Sequence, residues 1–134
     1  MMQDRPTFRE LLEAVEHFLE RDVVPALAGP KQYHARVAAN VMRILARELE
    51  LGPASSKAEW QRLDSLLGAE PAPDDARAFA EAIERRTREL CRKIRSGNAD
   101  LDPWRREVLA HVRRTVEEKL AIAKPEMLRG EKAR

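Results

Sequence analysis

Tyr33, His34, Arg36 and Asn40 crowd into a single two-turn stretch of the chain. A guanidinium can grip a carboxylate or phosphate in a bidentate fork, and an amide can orient the bound anion. Arg36 and Asn40 are one helical turn apart and face the same way, so together they form a candidate ligand-binding group beside Tyr33 and His34. A second set, Asp22, His34, Glu48 and Lys119, falls on or close to helix faces that otherwise read as buried. Two acids and two bases next to a core must pair or escape to water, because an unpaired buried charge is costly.

Two readings of these residues compete. In the structural one, helix ends are wet, Lys119 reaches solvent along its own stem, and His34 is a hydrogen-bonded core histidine. This reading carries the greater weight. In the sharper one, a polar pocket between helices has perturbed ionisation and holds a ligand. His34 and Glu48 stand roughly 21 Å apart along one helix, so at most one of them joins any given site.

The remaining chemistry-bearing residues are sparse. His17, His34 and His111 lie on three different helices with no ligand spacing, so no metal is implied. Cys91 falls on an apolar stripe and reads as core rather than nucleophile. The serines Ser55, Ser56, Ser65 and Ser96 occupy caps or turns without a neighbouring base. No glycine-rich phosphate loop occurs, no cofactor is implied, and no set of nucleophile, base and oxyanion donor assembles.

The elements that carry these residues are helices. Thr7 and Glu10 have the spacing of a capping box. From there Phe8, Leu11, Leu12, Val15, Phe18, Leu19 and Val23 share one face at helical period, up to a stop before Pro25. A second helix is expected over residues 31–51, with Tyr33, Val37, Val41, Ile44, Leu45 and Leu49 as its apolar arc and Gly52-Pro53 as its end. Ser56 and Glu59 suggest a cap for a short third helix over 57–67, carrying Trp60, Leu63 and Leu67. Residues 69–73 form the most loop-like segment. A fourth helix from Asp74 or Asp75 to about Ser96 carries Phe79, Ala80, Ile83, Leu90, Cys91 and Ile94. A fifth starts at Asp102-Pro103 and carries Trp104, Val108, Leu109, Val112, Val116 and Leu120. The expected fold is all-α, with four main helices in a bundle-like core and one short helix across it. Residues 1–125 would form a single domain and 126–134 a frayed polar tail.

Composition agrees with a helical protein. Charged residues make up 36% of the 134 residues and aromatics 4%, so the core must be mainly aliphatic. The formal net charge of +2 is too balanced for a dedicated nucleic-acid binder. The basic run Arg85, Arg86, Arg88, Arg92, Lys93 and Arg95 spreads around its helix and lacks aromatics for base stacking. Charge is nevertheless uneven. Residues 1–24 hold six acids and three bases, whereas residues 77–114 hold eleven bases and six acids, a distribution that suits contact between unlike faces. A lone cysteine, no signal-like amino-terminal segment and no membrane-length apolar run lead to the expectation of a cytoplasmic protein.

The chain resembles a group of small uncharacterised bacterial proteins encoded near acyl-CoA dehydrogenases and kinases similar to aminoglycoside phosphotransferases. The matching stretches are Gln3-Asp4-Arg5-Pro6, His34-Ala35-Arg36-Val37-Ala38-Ala39-Asn40, Glu48-Leu49-Glu50-Leu51-Gly52, Leu90-Cys91 with Ile94-Arg95, and Lys119-Leu120-Ala121-Ile122. The group's pattern has Asn before the final Pro, where this chain has Lys124. The resemblance implies a helical domain and an association with acyl-CoA metabolism, and transfers no catalytic residue. The leading expectation is a non-catalytic accessory protein acting through helix-face contacts, as a homodimer or with a metabolic enzyme. The alternatives are a binder of an anionic acyl-CoA or carboxylate group and, with less support, an enzyme using His34 in an interhelical site.

Overall fold

The computed structural model describes Met2 and residues 4–131, so Gln3 of the amino-terminal motif and residues 132–134 of the expected tail lie outside the described residues. The described residues are all-helical, with five α-helices in chain order. These are α1 (Phe8–Phe18), α2 (Gly29–Leu67), α3 (Ala76–Arg95), α4 (Trp104–Ala123) and α5 (Glu126–Glu131). The chain divides into two compact units, Met1–Gly52 and Pro53–Arg134.

In the first unit the expected capping box forms. The Glu10 N–H donates to Thr7 Oγ1 at 3.2 Å, and the Thr7 N–H donates to Glu10 Oε2 at 2.7 Å. These bonds, with an ion pair to Arg5, hold the Glu10 carboxyl below its ordinary pKa, the Arg5 contact being the largest cause. Beyond Phe18 the helix widens into a π-type turn over Leu19–Val23, where the Val24 N–H donates to Leu19 O at 2.8 Å. A turn then leads to Gly29, whose φ of +62° only glycine adopts readily. The Gln32 amide ties the two arms together by donating to Val24 O at 3.0 Å.

The stop expected at Gly52-Pro53 does not occur. The structure continues through it as one 39-residue helix, and Ser56 lies in its interior rather than at a cap. A proline disfavours helical geometry in the preceding residue by crowding that residue's N–H and Cβ. Gly52 has no Cβ, and one added there would sit 2.7 Å from Glu48 Oε1.

The second unit has a core of large side chains. Leu63, Leu90 and Val108 are buried together, with Leu66, Leu67, Ile83, Ala99 and Trp104 packed around them. Trp60 is buried too, its ring 5.4 Å from that of Phe79. Arg86 is only 1% exposed, and its guanidinium stacks over Trp60 at 4.7 Å. It donates to the Asp64 carboxylate and to the carbonyls of Leu63 and Gly68, which closes the carboxyl end of α2. The Arg86 bond is the main cause holding the Asp64 carboxyl below its usual range.

The loop after α2 is fastened at Glu70, whose N–H donates to Asp64 at 3.2 Å and whose carboxylate accepts from Arg85 at 2.7 Å. Asp75 caps α3 by accepting from the Ala78 N–H at 2.8 Å. Asp102 does not cap α4. Pro103 takes the cap position with no side-chain bond, and Asp102 instead accepts from Arg106 at 3.2 Å. Residues 126–131, expected to fray, form α5.

Candidate interaction surface

The two arms of the first unit meet along the small-residue side of α2. Ala35 and Ala39 are buried, and Met42 and Ala46 are half-buried. On α1 and the π-type turn, the half-buried Leu12, Leu19 and Val23 lie on the corresponding side. Alanine lets two helix backbones approach closely, but it removes little apolar area from water.

Ion pairs set the antiparallel register. Arg43 takes both Glu16 and Glu20, the latter at 3.0 Å, and Arg9 reaches Glu50 at 3.1 Å. Arg9, Glu16, Arg43 and Glu50, with Glu13, His17 and Arg47, line a groove of about 420 Å³ on one side of the seam. That side of the hairpin is charged.

The opposite side is apolar and open. Phe8, Leu11, Val15 and Phe18 on α1, and Tyr33, Val37, Val41, Leu45 and Leu49 on α2, are all exposed, Phe18 to 57% and Tyr33 to 64%. These are the stripes that the sequence assigns to the core. The helical period is right, but the α1 partner sits on the alanine side, so the larger side chains face away from it. On α1 the exposed residues follow 3-4-3 spacing, the pattern of a helix seam that packs against further helices.

The predicted site residues follow from this arrangement. Tyr33, His34, Arg36 and Asn40 are exposed, and the rings of Tyr33 and His34 are 5.8 Å apart. Asp22 and Glu48 are exposed as well, as is Lys119 in the second unit. The faces that carry them are themselves open to water, so none of these charges needs a buried partner.

The second unit gathers polar side chains that the sequence pattern did not single out. Arg62 on α2 donates through Nε to His111 Nδ1 at 3.3 Å and through Nη2 to Thr115 Oγ1 at 3.2 Å. Its fork also takes Glu118, at 2.7 and 3.1 Å. His111 is buried, and burial is the main cause pushing its pKa below the ordinary histidine value, with the Arg62 charge acting in the same direction. Because Nδ1 accepts from Arg62, the bonded imidazole is neutral with its proton on Nε2.

His111 also borders two grooves of the second unit, of about 390 and 360 Å³. Cys91, expected in the core, is exposed and lines the larger one. It stands one position past the buried Leu90, at the open margin of the α3 stripe. Among the described residues no three His, Cys, Asp or Glu side chains are grouped to hold a metal, and no helix is long and apolar enough to cross a membrane.

Arg86 had a legible signal. It stands three residues after Ile83 and four before Leu90, in the gap of the α3 stripe, so the helical period places it inward. His111 likewise falls three residues after Val108, at the edge of the α4 stripe.

No curated protein and no solved structure matches the chain. The family described as "Domain of unknown function (DUF6285)" matches residues 25–127, more than half of the sequence, and the chain belongs to that family.

Proposed function

We propose that this protein is a non-catalytic accessory protein that works through helix-face contacts, with itself or with a metabolic enzyme. The observation that supports this reading is the apolar side of the α1–α2 hairpin. Contiguous apolar patches much beyond a few hundred Å² mark contact sites on soluble proteins. The resemblance to proteins encoded near acyl-CoA dehydrogenases makes an enzyme of acyl-CoA metabolism the first client to try.

The test is retention from the native host on the tagged full chain, compared with a Leu11→Glu/Leu45→Glu variant of unchanged helical content. A stoichiometric metabolic enzyme, or untagged copies of the chain itself, held by the wild type and lost by the variant is the expected result. Identical retention by the two proteins overturns the reading.

A second reading has one observation of its own. Arg36 is exposed, forms no ion pair among the described residues, and stands one turn from the exposed Asn40. A free guanidinium beside an amide suits a carboxylate or phosphate on a small ligand, such as an acyl-CoA. A thermal shift with such ligands that disappears in Arg36→Ala supports it, and no shift with any of them removes it.

A further inference from the structure

We infer that the apolar side of the α1–α2 hairpin is covered by the same face of a second copy of this chain, the two hairpins forming a four-helix bundle about a two-fold axis. This rests on the interaction reading above and names its partner.

Three observations carry the inference. The first is a deficit of buried material. The buried apolar side chains of the first unit are Val24, Ala35 and Ala39, all small, whereas Phe8, Leu11, Phe18, Leu45 and Leu49 stand in water. A two-helix hairpin has no third layer in which to hide a second stripe, and another hairpin supplies one.

The second is area. The exposed stripe of α1 and α2 leaves on the order of 800 Å² of apolar surface in water, with fully exposed aromatic side chains taken as roughly 150–250 Å² each. That equals the share of one partner in a standard stable interface, about 800 Å² a side.

The third is the distribution of charge. Ion pairs between the two arms lie on the far side of the hairpin, through Arg43 with Glu16 and Glu20 and through Arg9 with Glu50. The apolar side is therefore left nearly free of charge. A two-fold contact sets each patch against its own copy, so a face rich in one sign would repel itself, whereas this one does not. The exceptions are two exposed acids, Asp22 at the end of the α1 arc and Glu48 inside the α2 arc. Glu48 makes a useful probe, because carrying a carboxylate into an interface weakens association.

The test is sedimentation equilibrium of the purified full chain between about 1 and 100 μM, the weak end of the range expected for interfaces of this size. The expected mass is twice 15.3 kDa. Leu11→Glu/Leu45→Glu should sediment at 15.3 kDa with an unchanged helical spectrum, its dissociation constant raised by about 100-fold or more. Glu48→Leu should act in the opposite direction and tighten a discrete dimer by about threefold or more. A wild-type monomer over the whole range overturns the inference, and so does a dimer that neither variant changes. The two proposals fail separately. A monomer whose apolar face still retains another protein from the host ends the self-association and keeps the interaction reading. A monomer whose face retains nothing ends both.

Discussion

The two units spend their large side chains in opposite ways. The second unit buries Trp60, Leu63, Leu90 and Val108 among its own helices, and the first buries Val24 and two alanines while Phe8, Phe18 and Leu49 face water. Each contains a strongly amphipathic helix, α1 in the first and α3 in the second. What differs is the number of helical segments that share one core. In the second unit the carboxyl part of α2, α3 and α4 surround a common centre. In the first, two arms share only a seam. An amphipathic stripe is thus a necessary condition for a core and not a sufficient one. A third or fourth helix must arrive on the same side, from this chain or from another.

The largest test of this contrast compares one deletion in each unit. Leu63 is fully buried at the centre of the second unit's core. Leu63→Ala should cost about 2–5 kcal/mol of unfolding free energy, read from urea denaturation, because a cavity opens among neighbours that cannot fill it. Val15→Ala removes apolar atoms from the first unit, but those atoms are 46% exposed in the single chain. Its cost should depend on protein concentration, small where the chain is dilute and larger where the face is covered. A Val15→Ala penalty as large as that of Leu63→Ala and independent of concentration would show that the two units do not differ in this way.

Arg86→Met is the next in size. Arg86 links Trp60, Asp64 and the carbonyls that end α2. Methionine keeps most of the stem's packing but strands those carbonyls. Asp64 keeps partial access to water, with a side chain 28% exposed, so the loss falls short of that for a fully buried ion pair. About 1–3 kcal/mol is expected by urea denaturation. A neutral result would mean that water replaces the guanidinium at the end of α2.

How much of this was legible in the sequence depends on the physics behind each signal. Local rules gave mixed results. The Thr7–Glu10 box forms and Asp75, one of the two starts expected for its helix, caps α3, but Asp102 does not cap α4 and Ser56 lies inside α2. The Gly52-Pro53 signal failed although Pro53, inside α2, still forfeits its own backbone bond; Gly52, lacking a Cβ, removes only the clash with the preceding side chain. A longer-range signal overrode it. Trp60, Leu63 and Leu67 continue the helical phase of Leu45 and Leu49, as they would if the helix never stopped.

Burial was harder to read, because periodicity fixes the direction of a side chain and not the presence of a neighbour. Asp22, His34 and Glu48 therefore looked like charges in need of partners and are exposed, while Arg86 and His111, not singled out as core residues, are buried. An apolar arc read as buried is, on α1 and α2, open to water.

The subtlest difference between the units is a dependence on pH that belongs to the second. His111 is buried with its pKa lowered, first by burial and then by Arg62. An unfolded chain binds the extra proton near pH 6.5 and the folded one only below that, so the unfolded state gains protons first. The contribution of His111 to stability is therefore complete above about pH 6.5 and is lost as the pH falls toward the depressed value. Protonation would also remove the acceptor that Nδ1 offers Arg62 and set two cations side by side. Asp64, Glu10 and Glu70, whose pKa values are also lowered, lose their contributions in the more acidic carboxylate range, so the two effects separate on the pH axis. Urea midpoints at about pH 7.5 and about pH 5 should differ for the wild type, with the acidic one lower. In His111→Gln that difference should shrink, because glutamine can accept from Arg62 without titrating. An equal pH slope in the two proteins would place the titrating group elsewhere and leave the Arg62–His111 contact as packing alone.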